Sequence, residues 1–434
     1  MRTSLRQHLL GQVAEYGMMV LVLASVVWVA QFFLQHHYLP QPFIFDTFDT
    51  FMDWFNTAAF ANRPGAYDVW HTVYPPISFV FLRIFSLHSC YGNSFNARDC
   101  DWLGLSTIIA FYLFNGWLAF HIFQRIDRAT AIPRGLAFGL GWPLLYCLER
   151  GNLILVCLPA FMYAYSGLAK SRFWQGLAMA VTINFKPYLV IASFCWAIKR
   201  DWRALEFAGL LTIAVYLLTL AWFGSGDPFQ IIENMGIWIK YTNGQFHEQI
   251  YASSSYSSLL LIKASAFPLL EYIPSKIVEQ MSWFLPALIR TTQFFALAGL
   301  VATWLQPQAV SMPRIAALLV GVHLVSQGLP GYSLTFLIFL IFLERERRVG
   351  PVIALVCSYL LSVSYDRIFV TIMNADGPSW LSGLTARVNF GLAIGQLVRP
   401  GLVIAIVWAL AFDTITQAIL AHRRHRPVLR FVPA

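Results

Sequence analysis

Charged side chains are scarce in this sequence. Asp, Glu, Lys and Arg make up 12% of its 434 residues, whereas hydrophobic residues make up 58%. A soluble globular protein has about twice that charged fraction, so this composition excludes an ordinary soluble domain. Apolar runs such as 17–34, and 401–412 with its flanks, approach the ~20 residues that a membrane-spanning helix needs, and they lack the alternation of a β-barrel. The sequence therefore predicts an all-α polytopic membrane protein.

Motifs for nucleotides and metals are also missing. The sequence has no P-loop and no glycine-rich strand–helix turn, so it gives no sign of a nucleotide-binding fold. Its six cysteines have no metal-ligand spacing. Cys90 and Cys100 flank a short polar loop, and they either form a disulfide in an oxidising compartment or remain free. We expect no metal and no other cofactor, with a divalent cation near the carboxylates at 46, 49 and 53 as the alternative.

A cleavage site for a signal peptidase is absent after the first apolar run, so we expect that helix to be retained. The net charge is +9, and basic residues form clusters at 199–203, 344–348 and 422–426, between or after apolar runs. This pattern follows the positive-inside rule, so it indicates membrane orientation rather than a nucleic-acid partner. The N-terminus is basic as well, and both termini are expected in the cytoplasm.

Apolar runs predict about twelve transmembrane helices within one membrane domain that covers 1–434. They lie at 17–34, 74–89, 103–121, 135–148, 152–168, 173–198, 204–223, 283–304, 312–328, 330–343, 350–364 and 398–418. Three polar stretches between them, 35–73, 224–282 and 365–397, are expected to form outer loops, with juxtamembrane helices on the outer face.

Strict alternation of these spans conflicts with the positive-inside rule at two places. It puts the basic segments 124–134 and 170–172 outside. Either 74–89 does not cross the membrane, or Arg125 and Arg128 bind a lipid phosphate on the outer face. The sequence leaves both interpretations open.

Three aspartates follow the first apolar run. Asp46, Asp49 and Asp53 are spaced i, i+3 and i+7, so on a helix they share one face. Clustering and partial burial raise carboxylate pKa values, which suits a general base acting on a sugar hydroxyl. The alternative is a solvated polar face with no chemical role.

Lys186 interrupts the apolar run 173–198, and Pro187 breaks the helix beside it. An ammonium group at such a depth needs an anion or a wet cavity. Lys186 is therefore the first candidate to bind an anionic group.

Two further polar groups adjoin apolar segments. Glu149, Arg150 and Asn152 separate two short apolar runs, where charges are functional or paired, unless they form a simple turn at the membrane surface. Tyr74 precedes two prolines that open a helix. His71, just before it, either binds phosphate or only lies in the loop.

The order of these features resembles glycosyltransferase family 87 of the GT-C superfamily. It comprises the aspartates, Tyr-Pro-Pro at 74–76, Gly-Asn at 151–152, Lys-Pro at 186–187 and the basic segment KRDWR at 199–203. The resemblance implies a GT-C-like helical bundle in the bacterial inner membrane. It also implies transfer of mannose, or another hexose or pentose, from a polyprenyl-phosphate donor to a lipid or glycan hydroxyl on the extracytoplasmic face.

The resemblance also implies roles for individual residues. The family's catalytic base lies in a setting like DWFNTAAFA, which points to Asp53, with Asp49 second. Its later outer-face histidine is expected near 326–334, where this sequence has Tyr332 and no histidine; His323 lies upstream. The candidates for the donor phosphate are Lys186, Arg150, Arg125 and Arg128. Those for substrate binding are Asp46, Asn56, His71, Tyr74, Glu149, Asn152 and Tyr332.

Two other functions compete with this interpretation. An O-antigen or exopolysaccharide polymerase or ligase would also use a lipid-linked sugar, and could recruit His247, Arg387 and Arg399. A transporter or flippase of lipid-linked glycans would need charges spread along a pathway through the membrane.

Overall fold

The computed structural model describes residues 2–425 except 44–45, 93–95, 225, 243–253, 258–273 and 346–347. It is mostly helical. The helices are α1 Arg2–His36, α2 Met52–Ala61, α3 Pro76–Ile84, α4 Ala97–Cys100, α5 Trp102–Ile126, α6 Ala131–Gly139, α7 Trp142–Arg150, α8 Ile154–Tyr165, α9 Arg172–Phe185, α10 Val190–Ile198, α11 Trp202–Phe223, α12 Gln230–Thr242, α13 Ser275–Leu305, α14 Met312–Ser326, α15 Leu334–Phe342, α16 Val349–Leu361 and α17 Ile394–His425. Short 3₁₀ turns cover His88–Gly92, Pro187–Leu189 and Gly331–Ser333.

Five of these helices are long and apolar enough to cross a membrane: α1, α5, α11, α13 and α17. Five shorter apolar segments accompany them, at Ile154–Tyr165, Pro187–Ile198, Met312–Ser326, Gly331–Phe342 and Val349–Leu361. The prediction of a helical membrane protein is confirmed. The count of twelve spans is not confirmed, because several predicted spans are broken or too short.

The predicted span 74–89 does not cross. Its helix α3 has nine residues, about 14 Å at 1.5 Å per residue. Its C-terminal end is tied to the end of α2 and the residue after it: Arg83 donates to the Ala61 carbonyl at 2.6 Å, and Asn62 donates to Ser86 Oγ at 3.0 Å. The chain therefore returns to the side from which it came, which we call the aspartate face because Asp46–Asp53 lie there.

Without a crossing at α3, α5 runs away from the aspartate face. It begins where Gly104 packs against Trp54 of α2, and its 25 residues extend about 37 Å. Arg125 and Arg128 consequently lie at the opposite face. The chain returns to the aspartates through α6 and α7 and leaves again through α8, so 124–134 and 170–172 both lie opposite the aspartates. Their conflict with the positive-inside rule disappears.

The predicted span 173–198 is also corrected. Pro187 cannot continue α9, and the chain turns at Lys186–Leu189 before α10 begins. Arg172 Nη2 lies 2.7 Å from Asp201 Oδ2, so the two ends of this segment meet. The segment therefore enters from the opposite face and returns to it, with Lys186 at its tip.

The stretch 365–397, expected as a loop, contains a β-hairpin, which departs from an all-α fold. Strands β1 Ile368–Pro378 and β2 Thr385–Ala393 pair antiparallel, with Asn374 opposite Asn389. In β2, Ala386, Val388 and Phe390 are buried and alternate with exposed neighbours, the period of a strand with one covered face.

The hairpin packs on the segment that leads to the aspartates. Gln41 Nε2 donates to the Gly391 carbonyl at 3.0 Å, and the Gly391 amide donates to Gln41 Oε1 at 3.3 Å. Near the hairpin turn, the Trp380 amide donates to the Thr47 carbonyl at 3.2 Å. The third outer stretch therefore covers the first.

Nearly half of the second polar stretch, 224–282, lies outside the described residues, namely 225, 243–253 and 258–273. Within it, α12 is described and holds the loop before α3. The buried Asn234 side chain donates to the carbonyls of Tyr67 at 3.0 Å and Thr72 at 3.1 Å. Tyr67 Oη in turn donates to the Tyr74 carbonyl at 2.9 Å.

Candidate active site

The aspartate segment is a turn followed by a helix. The sequence predicted that Asp46, Asp49 and Asp53 share one helical face, but α2 begins only at Met52. Phe51 precedes it with φ 65°, in the left-handed region that ends a preceding turn. The Phe51 amide donates to the Glu149 carbonyl at 2.7 Å, which fixes this turn against α7.

Arg150 brings two of the three carboxylates together. Its Nη1 lies 2.5 Å from Asp49 Oδ2, and its Nη2 lies 2.6 Å from Asp53 Oδ1. Asn152 Nδ2 donates to the other oxygen of Asp53 at 2.6 Å. The Arg150 side chain is 7% exposed and that of Asp53 is 17% exposed. Asp53 is therefore fixed by Arg150 and Asn152 and remains partly accessible on its other side.

Gly151 makes this convergence possible. It ends α7 with φ 60°, where a side chain would be strained. A Cβ there would lie 3.0 Å from the Phe51 carbonyl oxygen and 3.1 Å from Trp54 Cβ. The close approach lets Arg150 and Asn152, on either side of the glycine, both reach Asp53.

The surroundings of Asp49 change its acidity. Burial raises the pKa of Asp49 above its ordinary value, and the charges of Asp53 and Asp46 act in the same direction. The guanidinium of Arg150 opposes this rise but does not cancel it. Ionisation of this partly buried carboxylate next to another carboxylate therefore costs the fold stability.

Lys186, at the tip of the α9–α10 segment, is buried with 8% of its surface exposed. Its Nζ lies 5.2 Å from the centre of the Tyr74 ring. Among the residues that the structure describes, no carboxylate pairs with it. A buried ammonium without a carboxylate is suited to bind an anion.

The residues around Lys186 join it to the turn at Gly331–Ser333. Tyr188 Oη lies 3.3 Å from Ser333 Oγ. The Tyr188 ring stacks on His323 at 5.4 Å between centroids. Tyr188 therefore joins the Lys186–Leu189 turn to an imidazole at the end of α14.

Cys147 on α7 connects the aspartates with Lys186. Its thiol donates to the Tyr332 carbonyl at 3.8 Å, in the same turn whose Ser333 Oγ lies 3.3 Å from Tyr188 Oη. Arg150, at the end of α7, binds Asp53. The acidic group and the segment that carries Lys186 are consequently joined through α7 and the Gly331–Ser333 turn.

Comparison with known proteins identifies the family of the chain. The model of the family described as glycosyltransferase family 87 matches residues 70–329. The chain belongs to glycosyltransferase family 87. It is therefore a membrane glycosyltransferase, and its resemblance to this family is confirmed. No curated protein and no solved structure matches the chain. The matched region includes Tyr74, Arg150, Lys186 and His323 and begins after the aspartates.

The other residues predicted to bind substrate differ in their exposure and position. Glu149 is buried beside Arg150, and Asn56 is exposed on α2 one turn after Asp53. Asp46 is exposed and accepts from the Phe48 amide at 3.0 Å. His71 is exposed in the loop, and the described residues give it no hydrogen bond or ion pair.

Two arginines are not brought to the site. Arg125 and Arg128 lie at the far end of α5, so the prediction that they bind the donor phosphate with Lys186 is corrected. The correction follows from α3, which is too short to cross.

The structure adds His323 to the candidates. We expected the family's histidine at 326–334, in a loop, and the chain places His323 in the last turn of α14 instead. The signal was present in the sequence as the nearest upstream histidine. Tyr332, the residue at the expected position, contacts the Tyr146 ring at 5.5 Å.

The residues of the competing polymerase interpretation are differently placed. Arg399 Nη1 lies 3.0 Å from Asp366 Oδ2, and its guanidinium lies 4.7 Å from the centre of the Trp142 ring. Arg399 therefore makes an ion pair and a cation–π contact inside the protein. Arg387 is exposed on β2 opposite Asp376. His247 lies outside the described residues.

Cys90 and Cys100 form a disulfide on the aspartate face, which decides between the two alternatives left open by the sequence. It closes a loop around α4. Asp101, next to it, accepts from Tyr91 Oη at 2.7 Å.

The three aspartates do not form a typical metal site. No group of three or more His, Cys, Asp or Glu side chains within the described ranges has the arrangement of metal ligands. Arg150 already supplies the positive charge between Asp49 and Asp53.

Proposed function

We propose that this family 87 enzyme transfers a sugar from a polyprenyl-phosphate donor to a hydroxyl group of a lipid or glycan, with Asp53 as the general base. The observation that carries the proposal is the connection of two groups through α7. An open carboxylate contacts Arg150 of α7, and a buried ammonium, without a carboxylate partner among the described residues, lies in the segment that meets the Gly331–Ser333 turn packed on α7. Transfer from a sugar phosphate to an alcohol needs these two groups.

Asp53 removes the acceptor proton. Each of its oxygens accepts one hydrogen bond, from Arg150 or Asn152, and retains a second lone pair for the acceptor hydroxyl. As the acceptor oxygen forms its bond to the anomeric carbon, its proton passes to Asp53. The bond between the anomeric carbon and the phosphate oxygen breaks, and its electron pair stays with the phosphate.

Lys186 balances the charge of the departing phosphate. Arg150 is engaged by two carboxylates, whereas Lys186 has a tyrosine ring beside it and no carboxylate among the described residues. We therefore assign the phosphate to Lys186, with His323 near enough through Tyr188 to line the same space. A lipid-phosphate product stays in the membrane, so the enzyme needs no nucleotide-binding fold and, in this proposal, no cofactor.

The aspartate face is proposed to be extracytoplasmic, in a bacterial inner membrane. A disulfide lies on that face, and disulfides persist in oxidising compartments. The basic segments 124–134, 170–172 and 199–203 lie at the opposite face, as expected for the cytoplasmic side.

The test uses purified protein with a panel of radiolabelled polyprenyl-phosphate sugars and membrane lipid extracts. We expect wild type to transfer at least one sugar, Asp53→Asn to bind the donor without transferring it, and Lys186→Met to lose donor binding. Lys170→Met, an exposed lysine at the opposite face, is the matched control and should behave as wild type. Undiminished transfer by Asp53→Asn would remove it as the base, and undiminished binding by Lys186→Met would remove the phosphate assignment.

A further inference from the structure

We propose that Arg98 is a positioning residue that holds the aspartate turn in the geometry needed for catalysis, an inference that rests on the proposed function. Arg98 lies on α4, inside the loop that the Cys90–Cys100 disulfide closes. It is buried, with 2% of its surface exposed, and reaches from this loop into the turn that carries Asp49.

Arg98 binds the backbone on both sides of Asp49. Its Nη1 donates to the Phe48 carbonyl at 2.5 Å and to the Thr50 carbonyl at 2.7 Å. One guanidinium group thereby fixes the peptide units that flank the carboxylate. Its charge also acts on Asp49 and Asp46, which draws the turn toward α4.

Two aromatic rings hold Arg98 in place. Its guanidinium carbon lies 4.8 Å from the centre of the Phe48 ring and 4.6 Å from that of Trp380, at the turn of the hairpin. Trp380 Nε1 donates to Asp99 Oδ1 at 2.6 Å. A planar guanidinium can stack on rings and donate in its own plane at once, whereas a lysine ammonium cannot.

The turn needs such support because Phe51, at its end, has a left-handed backbone that side-chain-bearing residues rarely adopt. If the turn relaxes, Asp49 leaves Arg150, and Arg150 keeps its contact with Asp53 without the restraint from Asp49. The orientation of the Asp53 carboxylate would change without any change at Lys186. Arg98 therefore acts on the base through the turn and does not touch the substrate.

The first test needs no substrate. Hydrogen exchange followed by mass spectrometry should show amides of 46–53 exchanging about tenfold faster in Arg98→Met, because local opening becomes easier. Arg83→Met is the matched control: Arg83 also donates to two carbonyls, of Ala61 and Phe223, and lies 4.4 Å over the Phe223 ring. It should leave 46–53 as in wild type. Unchanged exchange of 46–53 in Arg98→Met would overturn the proposal.

The second test measures catalysis. In Arg98→Met, kcat should fall about tenfold or more with donor KM unchanged, because the base is misplaced and the phosphate site is intact. Arg98→Lys keeps the positive charge and serves as the conservative variant in case Arg98→Met does not fold. Its kcat should lie between those of Arg98→Met and wild type. In an Asp49→Asn background, Arg98→Met should cost much less than in wild type, because both changes act through one turn. A full additive loss, or a rise in donor KM alone, would contradict the positioning role. If wild type transfers no sugar, the proposed function fails while the exchange result still decides whether Arg98 holds the turn.

Discussion

The carboxylates around Arg150 differ in what they contribute. Asp53 is held at both oxygens and is open on one side, which fits a base; Asp49 shares the guanidinium and orients it. The sequence singled out this acidic segment and Arg150 as candidates, because charges beside apolar runs are costly to place. It could not show that Arg150 joins the two aspartates, since the contact spans about a hundred residues of chain.

Asp49 gives a pH-dependent prediction. Its pKa is raised in the folded protein above the ordinary value of 3.8, so its ionisation lowers stability as pH rises through the folded pKa. Asp49→Asn removes that penalty. We therefore expect the unfolding temperature of the variant, relative to wild type, to increase between about pH 4 and pH 7, as measured by thermal unfolding in detergent. A difference that stays constant or decreases over this range would contradict the electrostatic description.

Short elements, rather than long helices, build the site. Broken helices are tolerated at membrane depth where neighbouring helices cover them, and α7, the Lys186 turn and the Gly331–Ser333 turn all meet this condition. The Lys186–Pro187 break was predictable because proline acts locally. The return of α10 to the same face was not, because it depends on the distant pairing of Arg172 with Asp201.

Gly151→Ala tests the end of α7. The alanine must adopt φ near 60° and displace the Phe51 carbonyl or Trp54, so we expect a loss of about 1–3 kcal/mol in unfolding free energy and a marked fall in transfer rate. Gly167→Ala is the control, because Gly167 has φ 77° with nothing within 4 Å of the added Cβ. It should lose stability yet keep its transfer rate relative to folded protein. Equal effects of both variants on rate would show that the end of α7 does not position Asp53.

The β-hairpin was not predicted from the sequence, which indicated a loop at 365–397. β2 has the alternation of a strand in Thr385–Ala393, and this local signal could have been found. Its partner β1 contains β-branched residues and an aromatic residue near its start, which favour strands. The packing of Trp380 over the aspartate turn depends on tertiary contacts and had no local signal.

At the scale of the whole molecule, the length of one helix decides the topology. The run 74–89 is apolar enough to suggest a span, but α3 has nine residues and stays at the aspartate face. Each helix between α3 and the Lys186 segment consequently runs through the membrane in the direction opposite to the one that twelve alternating spans predict. The basic segments then collect at one face and the disulfide at the other.

Labelling of single cysteines tests this topology. Asn56→Cys should react with a membrane-impermeant maleimide from outside intact spheroplasts, and Arg128→Cys should react only after permeabilisation. The free cysteines Cys147, Cys157, Cys195 and Cys357 are buried, so the background should be low. Labelling of both positions from the same side would mean that α3 or α5 is wrongly placed.

The most direct measurement is a structure of the protein with a bound polyprenyl phosphate. The account predicts a phosphate within hydrogen-bonding distance of Lys186 Nζ, on the side of α7 that also presents Asp53, with an open path between the two groups. A phosphate bound elsewhere, or Asp53 and Lys186 in cavities that do not connect, would contradict the account.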